Sequence, residues 1–296
     1  MQGITPHLWY DTQAVEAAEL YVSTFPDSRI LDVTTLPDTP SGDTDQVRFE
    51  LFGQPFLAIS AGPHFRFTPA ISFAVSCVDA DELDRYWEVL VDGGEVLMEL
   101  GAYPFSSRYG WTTDRFGLSW QLSVADGPIE QRIVPSLLFV GDRAGQATDA
   151  MAFYTSVFPD ADIDTSVPYP PDAGPDAGHL MYGSFRLAGQ RFAAMDSGSS
   201  DHRFGFNEAV SFLVDCEDQA EMDRYTEALS AVPEAEQCGW LADRFGVSWQ
   251  INPGEMHRML AEGSPEQVAR VVQAFLPMKR LDLAVLRRAY ADPVSA

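Results

Sequence analysis

An eight-residue segment occurs twice in this chain of 296 residues, and that duplication limits the possible folds more than any other feature. Asp114-Arg115-Phe116-Gly117-Leu118-Ser119-Trp120-Gln121 returns as Asp243-Arg244-Phe245-Gly246-Val247-Ser248-Trp249-Gln250, with seven of eight positions identical. Other pairs keep the same order: Phe25-Pro26-Asp27 with Phe158-Pro159-Asp160, residues 71–77 with 210–216, and Asp84-Arg85-Tyr86 with Asp223-Arg224-Tyr225. A repeat sets the architecture before any single element does. The collinear matches define two copies of one domain, residues 1–126 and 130–253. A tail, residues 254–296, has no counterpart.

Within each copy the hydrophobic period changes in a fixed order. Residues 4–10 read as a strand, and Ala14, Ala18, Tyr21 and Phe25 recur at helical spacing. Pro26 ends that helix, because proline lacks an amide proton and forces its predecessor out of α geometry. Strands are expected near 30–34, 47–52 and 56–60, with Gly53-Gln54 as a turn. Residues 71–75 open a second round. Asp79-Ala80-Asp81-Glu82 reads as a capping box before a helix faced by Leu83, Tyr86, Trp87 and Leu90. Strands near 95–99, 109–113 and 118–123 complete it. The order βαβββ therefore occurs twice per copy and four times in the chain. In the tail, Ser264-Pro265-Glu266-Gln267 combines an N-cap, proline at the first helical position and a capping partner. A shorter helix with Leu283, Leu286 and Tyr290 follows Pro277, and the tail is expected to brace the domains.

Composition narrows the partners. Nineteen basic residues stand against 44 acidic ones, a net charge of −25, which repels phosphate backbones and anionic lipid. Nucleic acid and membrane are therefore not expected partners. With 46% hydrophobic residues each copy can build its own core, which excludes disorder. Cys77, Cys216 and Cys238 lack CxxC spacing and form neither a disulfide framework nor a structural zinc site. The opening MQGITPHLWYD has no basic region before an apolar stretch, and no apolar run approaches the ~18 residues of a membrane span. A cytoplasmic location is expected.

The repeated βαβββ order, the helix stop at Phe-Pro-Asp and the closing Asp-x-x-Gly-x-x-x-Gln strand resemble the vicinal oxygen chelate superfamily, the fold of glyoxalase I, extradiol dioxygenases and bleomycin-resistance proteins. Phe206-Asn207-Glu208-Ala209-Val210-Ser211-Phe212, Cys238-Gly239-Trp240 and residues 245–250 are similar to its PhnB-like branch, as are residues 278–284. The resemblance covers nearly the whole chain. It implies an α+β fold of four βαβββ modules forming two tandem glyoxalase-like domains plus a C-terminal helical tail. Two modules would enclose each partly open cleft. Two copies in one chain imply an intrachain pseudo-dimer, with further self-association left open. Some members carry the label demethylubiquinone methyltransferase. This chain shows no glycine-rich strand-to-helix loop for a nucleotide-like methyl donor, so the label carries little weight.

Metal-dependent members of the superfamily hold a divalent ion that polarises two substrate oxygens. Their ligand positions fall on His7, Ala70, Gln121 and residues 58–60 in the first copy. In the second copy they fall on Ser136, Ala209, Gln250 and residues 194–196. Alanine ligates nothing, and a tight site needs about three protein ligands. Both metal sites are therefore expected to be lost, with no cofactor; the alternative is a divalent ion on His7 and Gln121. Asp196 is the one ionisable group near a former ligand position, and a surface turn is its expected setting. His64, His179, His202 and His257 show no HxH or HxxxH spacing, and no Gly-x-Ser-x-Gly elbow is present.

Aromatic residues are what the expected clefts retain. Strand alternation puts His7 and Trp9 on one face and Trp120 opposite Gln121; with Gln121 facing the cleft, as the resemblance implies, Trp120 and Trp249 lie under the helices. Trp9, Phe56, Phe67 and Trp111 in the first copy, with Phe192, Phe206 and Trp240 in the second, are candidate walls beside His7, Gln121, Asp196 and Gln250. Such walls suit a planar or apolar small organic molecule. The leading reading is a binder of such a ligand without a catalytic metal. Its alternatives are a metal-dependent lyase, isomerase or dioxygenase, and an assembly scaffold acting through the C-terminal helices.

Overall fold

The computed structural model describes residues 3–199 and 202–291. The first module is β1 (Gly3–Tyr10), α1 (Ala14–Thr24), β2 (Arg29–Thr39), β3 (Gly42–Leu51) and β4 (Gln54–Ser60). The second is β5 (Ile71–Cys77), α2 (Ala80–Leu90), β6 (Glu95–Tyr103), β7 (Ser106–Thr113) and β8 (Ser119–Val124). The third is β9 (Ile133–Val140), α3 (Ala147–Val157), β10 (Asp162–Pro168), β11 (Leu180–Leu187) and β12 (Gln190–Ser197). The fourth, β13 (Val210–Cys216), α4 (Gln219–Leu229), β14 (Trp240–Ala242) and β15 (Ser248–Pro253), has one strand fewer than expected. There Pro233 opens a short 3₁₀ turn and has no amide to give a ladder. The tail backbone supplies pairing instead: Cys238 N donates to Met278 O at 2.7 Å and Gly239 N to Lys279 O at 2.9 Å.

Strand pairing crosses the repeat boundary. One seven-stranded sheet runs β14-β15-β13-β1-β4-β3-β2 and joins the first module to the fourth. An eight-stranded sheet, β10-β11-β12-β9-β5-β8-β7-β6, joins the second to the third. Each junction is antiparallel, β1 with β13 and β5 with β9. The compact units follow the sheets. Unit 1 comprises the segments up to Ser23, Asp27–Phe65, and from Asn207 on; unit 2 comprises Thr24–Pro26 and Arg66–Phe206. Each unit thus takes one module from each sequence copy.

One face of each sheet is covered by helices of the modules themselves. In unit 1, α4 packs on β13, β14 and β15, and Tyr21 of α1 lies 6.4 Å from Phe49. In unit 2, α2 packs on β5, β7 and β8, and α3 on β9 to β12. Trp120 and Trp249 are fully buried on these outer faces, as the alternation requires. Asp79 caps α2 by accepting from Glu82 N at 2.8 Å, while the Glu82 carboxylate takes Val78 N at 2.7 Å.

The most specific repeated motif proves to be a turn lock. Asp243 accepts from Phe245 N at 2.8 Å, Val247 N at 3.1 Å and Trp249 Nε1 at 2.8 Å. Asp114 does the same with Phe116 N, Leu118 N and Trp120 Nε1. Gly117 and Gly246 turn the chain there at φ +89° and +90°, where a side chain would be strained. Both aspartates are buried, so their oxygens must be matched by donors.

The tail forms α5 (Gly254–Glu262), α6 (Pro265–Phe275) and α7 (Leu283–Ala291). Ser264 and Gln267 form the expected capping box at the start of α6. Helix α5 packs on both β15 and β2, which stand five strand spacings apart in the sheet order. Flat, those strands would lie roughly 24 Å apart, beyond the reach of a nine-residue helix of about 14 Å. The sheet of unit 1 therefore curls around α5. Helix α6 also packs on β2, and α7 packs on α6. Met256, Met259, Leu260, Val268, Val271 and Val272 are buried in this layer. Arg280 pins the strap that follows α6 by donating to Glu236 at 2.8 and 3.0 Å. No helix among the described residues is long and apolar enough to cross a membrane.

Replacing Asp243 by Ala strands three buried donors, each worth roughly 1–3 kcal/mol when left unmatched. Urea unfolding is expected to show a loss of about 3 kcal/mol, with a smaller loss for Asp243→Asn. A loss below about 1 kcal/mol for the alanine variant would contradict the turn-lock role.

Candidate functional site

The strand registers define an inner face on each sheet, opposite the helices α1 to α4. In unit 1, His7 lies opposite Ser211, and Ser211 beside Ser248. Trp240 lies opposite Gln250 on the same face. The Trp240 ring meets His7 edge-on at 5.2 Å and Trp9 at 5.9 Å. Trp9 donates Nε1 to Gly62 O at 2.8 Å and touches Phe65 edge-on at 5.0 Å. Gln250 donates to Ser211 Oγ at 2.9 Å. The tail closes this face: His257 of α5 donates Nε2 to Asp215 Oδ1 at 3.0 Å, and His7 is only 2% exposed. His7 Nδ1 has no hydrogen-bond partner among the described residues. Burial, reinforced by the charge of His257, lowers the His7 pKa to about 3.

Unit 2 repeats the glutamine–serine pair in different company. Gln121 donates Nε2 to Ser72 Oγ at 2.6 Å and accepts from Tyr109 OH at 2.8 Å. Trp111 stands opposite Gln121 on β7 and donates Nε1 to Ser119 Oγ at 2.8 Å. Tyr103 and Phe105 meet the Tyr109 ring edge-on at 5.6 and 5.1 Å. Burial raises the Tyr109 phenol well above its ordinary pKa, so it stays a neutral donor. Phe105 is 62% exposed, so the aromatic cluster opens to solvent at one end. Tyr109 was legible by period, two residues before Trp111 on one strand. His257 and Asp215 were not, because nothing local in the tail predicts where α5 docks.

Several expected site residues stand elsewhere. Phe56 stacks on Phe49 and Phe192 on Phe185, both in the cores beneath the helices, so neither lines an inner face. Phe67 lies in the connection between β4 and β5. Phe206 precedes β13 and meets Phe139 edge-on at 5.0 Å. Asp196 is not in a surface turn. It is 1% exposed and accepts from Gly145 N, Ala147 N and Leu180 N at 2.7, 3.2 and 2.9 Å, holding the start of α3. Its counterpart Ser60 accepts from Ala14 N at the start of α1. Cys77 and Cys216 are buried thiols with pKa pushed up to about 12, chiefly by desolvation. Cys238 donates to Leu276 O at 3.3 Å, and burial raises its pKa too, which disfavours a reactive thiolate.

The donors present do not fit a tightly held divalent ion. His7 and Gln121, considered together for a metal, belong to different sheets. The inner face of unit 1 offers His7 with Ser211, Ser248 and Gln250, while its carboxylate Asp215 is engaged by His257. Unit 2 offers hydroxyls and an amide. Hard or borderline cations need carboxylate, imidazole or thiolate ligands. Among the described residues, no group of three His, Cys, Asp or Glu could hold a metal ion.

Because His7 is held neutral, the unfolded chain binds a proton near the ordinary histidine pKa of 6.5 that the folded chain refuses down to about 3. Its contribution to stability is therefore complete above about 6.5 and is lost as pH falls toward 3. Unfolding free energies measured from pH 7 to 4 should fall by roughly 1 kcal/mol per pH unit more in the native protein than in His7→Asn. Parallel curves for the two would refute a neutral, buried His7.

A family model described as 3-demethylubiquinone-9 3-methyltransferase matches residues 2–123 and again 131–252. A PhnB protein from Bacillus cereus is 37% identical and aligns over 42% of this chain and 100% of its own, with a TM-score of 0.40. A point variant of glyoxalase I from Zea mays aligns over 87% of this chain and 96% of its own at 10% identity, with a TM-score of 0.56. A Bacillus subtilis protein whose printed name proposes a dioxygenase covers 88% of this chain and 89% of its own, at 14% identity and a TM-score of 0.51. At those low identities the likeness is one of fold. Among curated proteins none matches the chain. With both copies matched and the modules paired in two mixed sheets, the chain belongs to the 3-demethylubiquinone-9 3-methyltransferase family, as a tandem member of the PhnB-like branch of the vicinal oxygen chelate superfamily.

Proposed function

We propose that this protein binds a small apolar or aromatic molecule on the inner face of unit 2, without a catalytic metal. The observation that supports this most is the unequal treatment of the two inner faces. In unit 1, α5 and α6 fill the curl of the sheet with their own apolar side chains. In unit 2, Trp111, Tyr109, Tyr103 and Phe105 gather beside Gln121 with one end open to solvent. Aromatic walls around a few fixed polar groups are the usual make-up of a small-ligand site.

The methyl transfer in the family's description does not enter this reading. The strand-to-helix connection with two glycines, Gly141 and Gly145, spends the Gly145 amide and that of Ala147 on Asp196, so the start of α3 already holds an anion. The scaffold reading is weakened because the apolar side chains of α5 and α6 are consumed within unit 1. Three free thiols fit the reducing cytoplasm as the protein's location.

A thermal-shift and saturation-transfer NMR screen with aromatic compounds tests the proposal on the full chain. Hits should persist after chelation and dialysis, weaken at least tenfold in Trp111→Ala, and survive Trp240→Ala. Binding that depends on Trp240 and ignores Trp111, or that vanishes on chelation, would overturn it.

A further inference from the structure

Strand β6 is held to the rest of unit 2 by little more than one ladder. It is the last strand of the eight-stranded sheet, and none of its nine residues is buried. Among the described elements β7 is its one substantial neighbour. Even that ladder slips, with register shifts between Val96 and Met98, Met98 and Gly101, and Gly101 and Tyr103. The next ladder, β7 with β8, runs without a shift from Tyr109 opposite Ser123 to Thr113 opposite Ser119. Residues 102–107 therefore project as a hairpin tip beyond the regular sheet. An edge segment with broken pairing and no buried strand side chain opens while the remainder of a domain stays folded. Gly101 sits among the shifts, and a Cβ there would meet nothing closer than the Tyr103 ring at 4.0 Å. No close approach requires this glycine, which leaves the strand supple.

The tip carries a cover. The Tyr103 and Phe105 rings stack at 5.5 Å, and both meet the Tyr109 ring edge-on. Phe105 faces solvent, yet Tyr109 is 8% exposed and its partner Gln121 is 9% exposed. Tyr103 OH donates to Glu99 O at 2.8 Å, so this end of β6 holds its own shape. Arg108 donates to Asp84 of α2 at 2.6 Å and fixes the base of the hairpin. The corresponding place in unit 1 is pinned. There Cys238 and Gly239 stand where the other copy has Tyr109 and Gly110, and their amides bond the strap after α6. Arg280 fastens that strap to Glu236. One repeat thus has a fastened cover and the other an unfastened one.

We infer that the β6–β7 tip is a door on unit 2, which bends at Gly101 and Arg108, uncovers Tyr109 and Gln121, and closes with Phe105 and Tyr103 over an aromatic molecule. This rests on the binding reading above and adds the way in and the step that limits entry. Opening breaks a few irregular ladder bonds and the ring contacts, and disturbs no residue of the core beneath the helices. The structure shows the door shut.

Two measurements on the full chain test it. Hydrogen exchange needs no ligand: residues 101–108 should exchange roughly a hundredfold faster than 119–124, which pair on both sides. Gly101→Val, for which there is room, should slow the exchange of 101–108 about threefold or more, while the strapped amides of Cys238 and Gly239 stay protected in both proteins. Equal rates in the two segments, or no response to Gly101→Val, would overturn the door whether or not anything binds. Stopped-flow mixing with 1-naphthol then reads entry. The observed rate should level off as the probe is raised, because opening limits it. The plateau should rise about threefold or more in Phe105→Ala and fall in Gly101→Val. A rate that climbs in proportion to the probe and ignores both variants would overturn the door while leaving the cleft in place. If 1-naphthol does not bind, the binding reading falls, and the door has nothing to admit even where exchange shows it opening.

Discussion

Backbone hydrogen bonding between strands of different modules is the constraint on which the molecule rests. A module of four strands ends in an edge strand whose amides and carbonyls need partners. Here β1 finds β13 and β5 finds β9, both antiparallel. Those two seams decide which side chains share a face, and hence which residues can form a site. They put His7 with Trp240 and Gln250, and bring Ser136 onto the face that already carries Trp111 and Gln121. Residues close together in one sequence copy are thereby sent to different sheets.

The repeats themselves explain stability more than function. Asp114 and Asp243 make the same three hydrogen bonds in the same turn, and Gln121 and Gln250 tie the same serine. What recurs in both copies is what any such sheet needs. What differs is more informative. Tyr109 stands where the second copy has Cys238, and Ser136 where the first has His7. The tail adds a further difference, because α5 and α6 pack on strands of unit 1 and have no counterpart in the other copy.

The fold was largely legible in the sequence because its signals are local. Strand alternation, the Pro26 stop, the Asp79 cap and the Ser264 capping box each depend on residues within a few positions. The fourth module lost a strand because Pro233 and the returning tail replaced its edge pairing, and only part of that is written locally. The site was legible in part. Alternation put His7 with Trp9, and Gln121 faces inward as the resemblance implied, yet Phe56 and Phe192 lie on the opposite side, since an aromatic residue in a strand carries no mark of which face it takes. Asp196 looked like a surface residue, and its burial depends on three amides brought in from two other segments. The pairing of His7 with Gln250 rather than Gln121 is a matter of topology, which no single motif encodes.

The seam between β1 and β13 also orders events on the ribosome. Unit 2 is almost entirely a nested insertion, residues 66–206, with both of its modules consecutive in the chain. It can close as soon as β12 has emerged. Strand β1, by contrast, precedes unit 2 and pairs β4 on one side, but its other edge waits for β13 more than two hundred residues later. Until then its edge is bare, the setting in which strands mispair or aggregate. A slow, late phase of assembly, confined to the unit that the tail finally seals, is the kinetic signature this arrangement imposes.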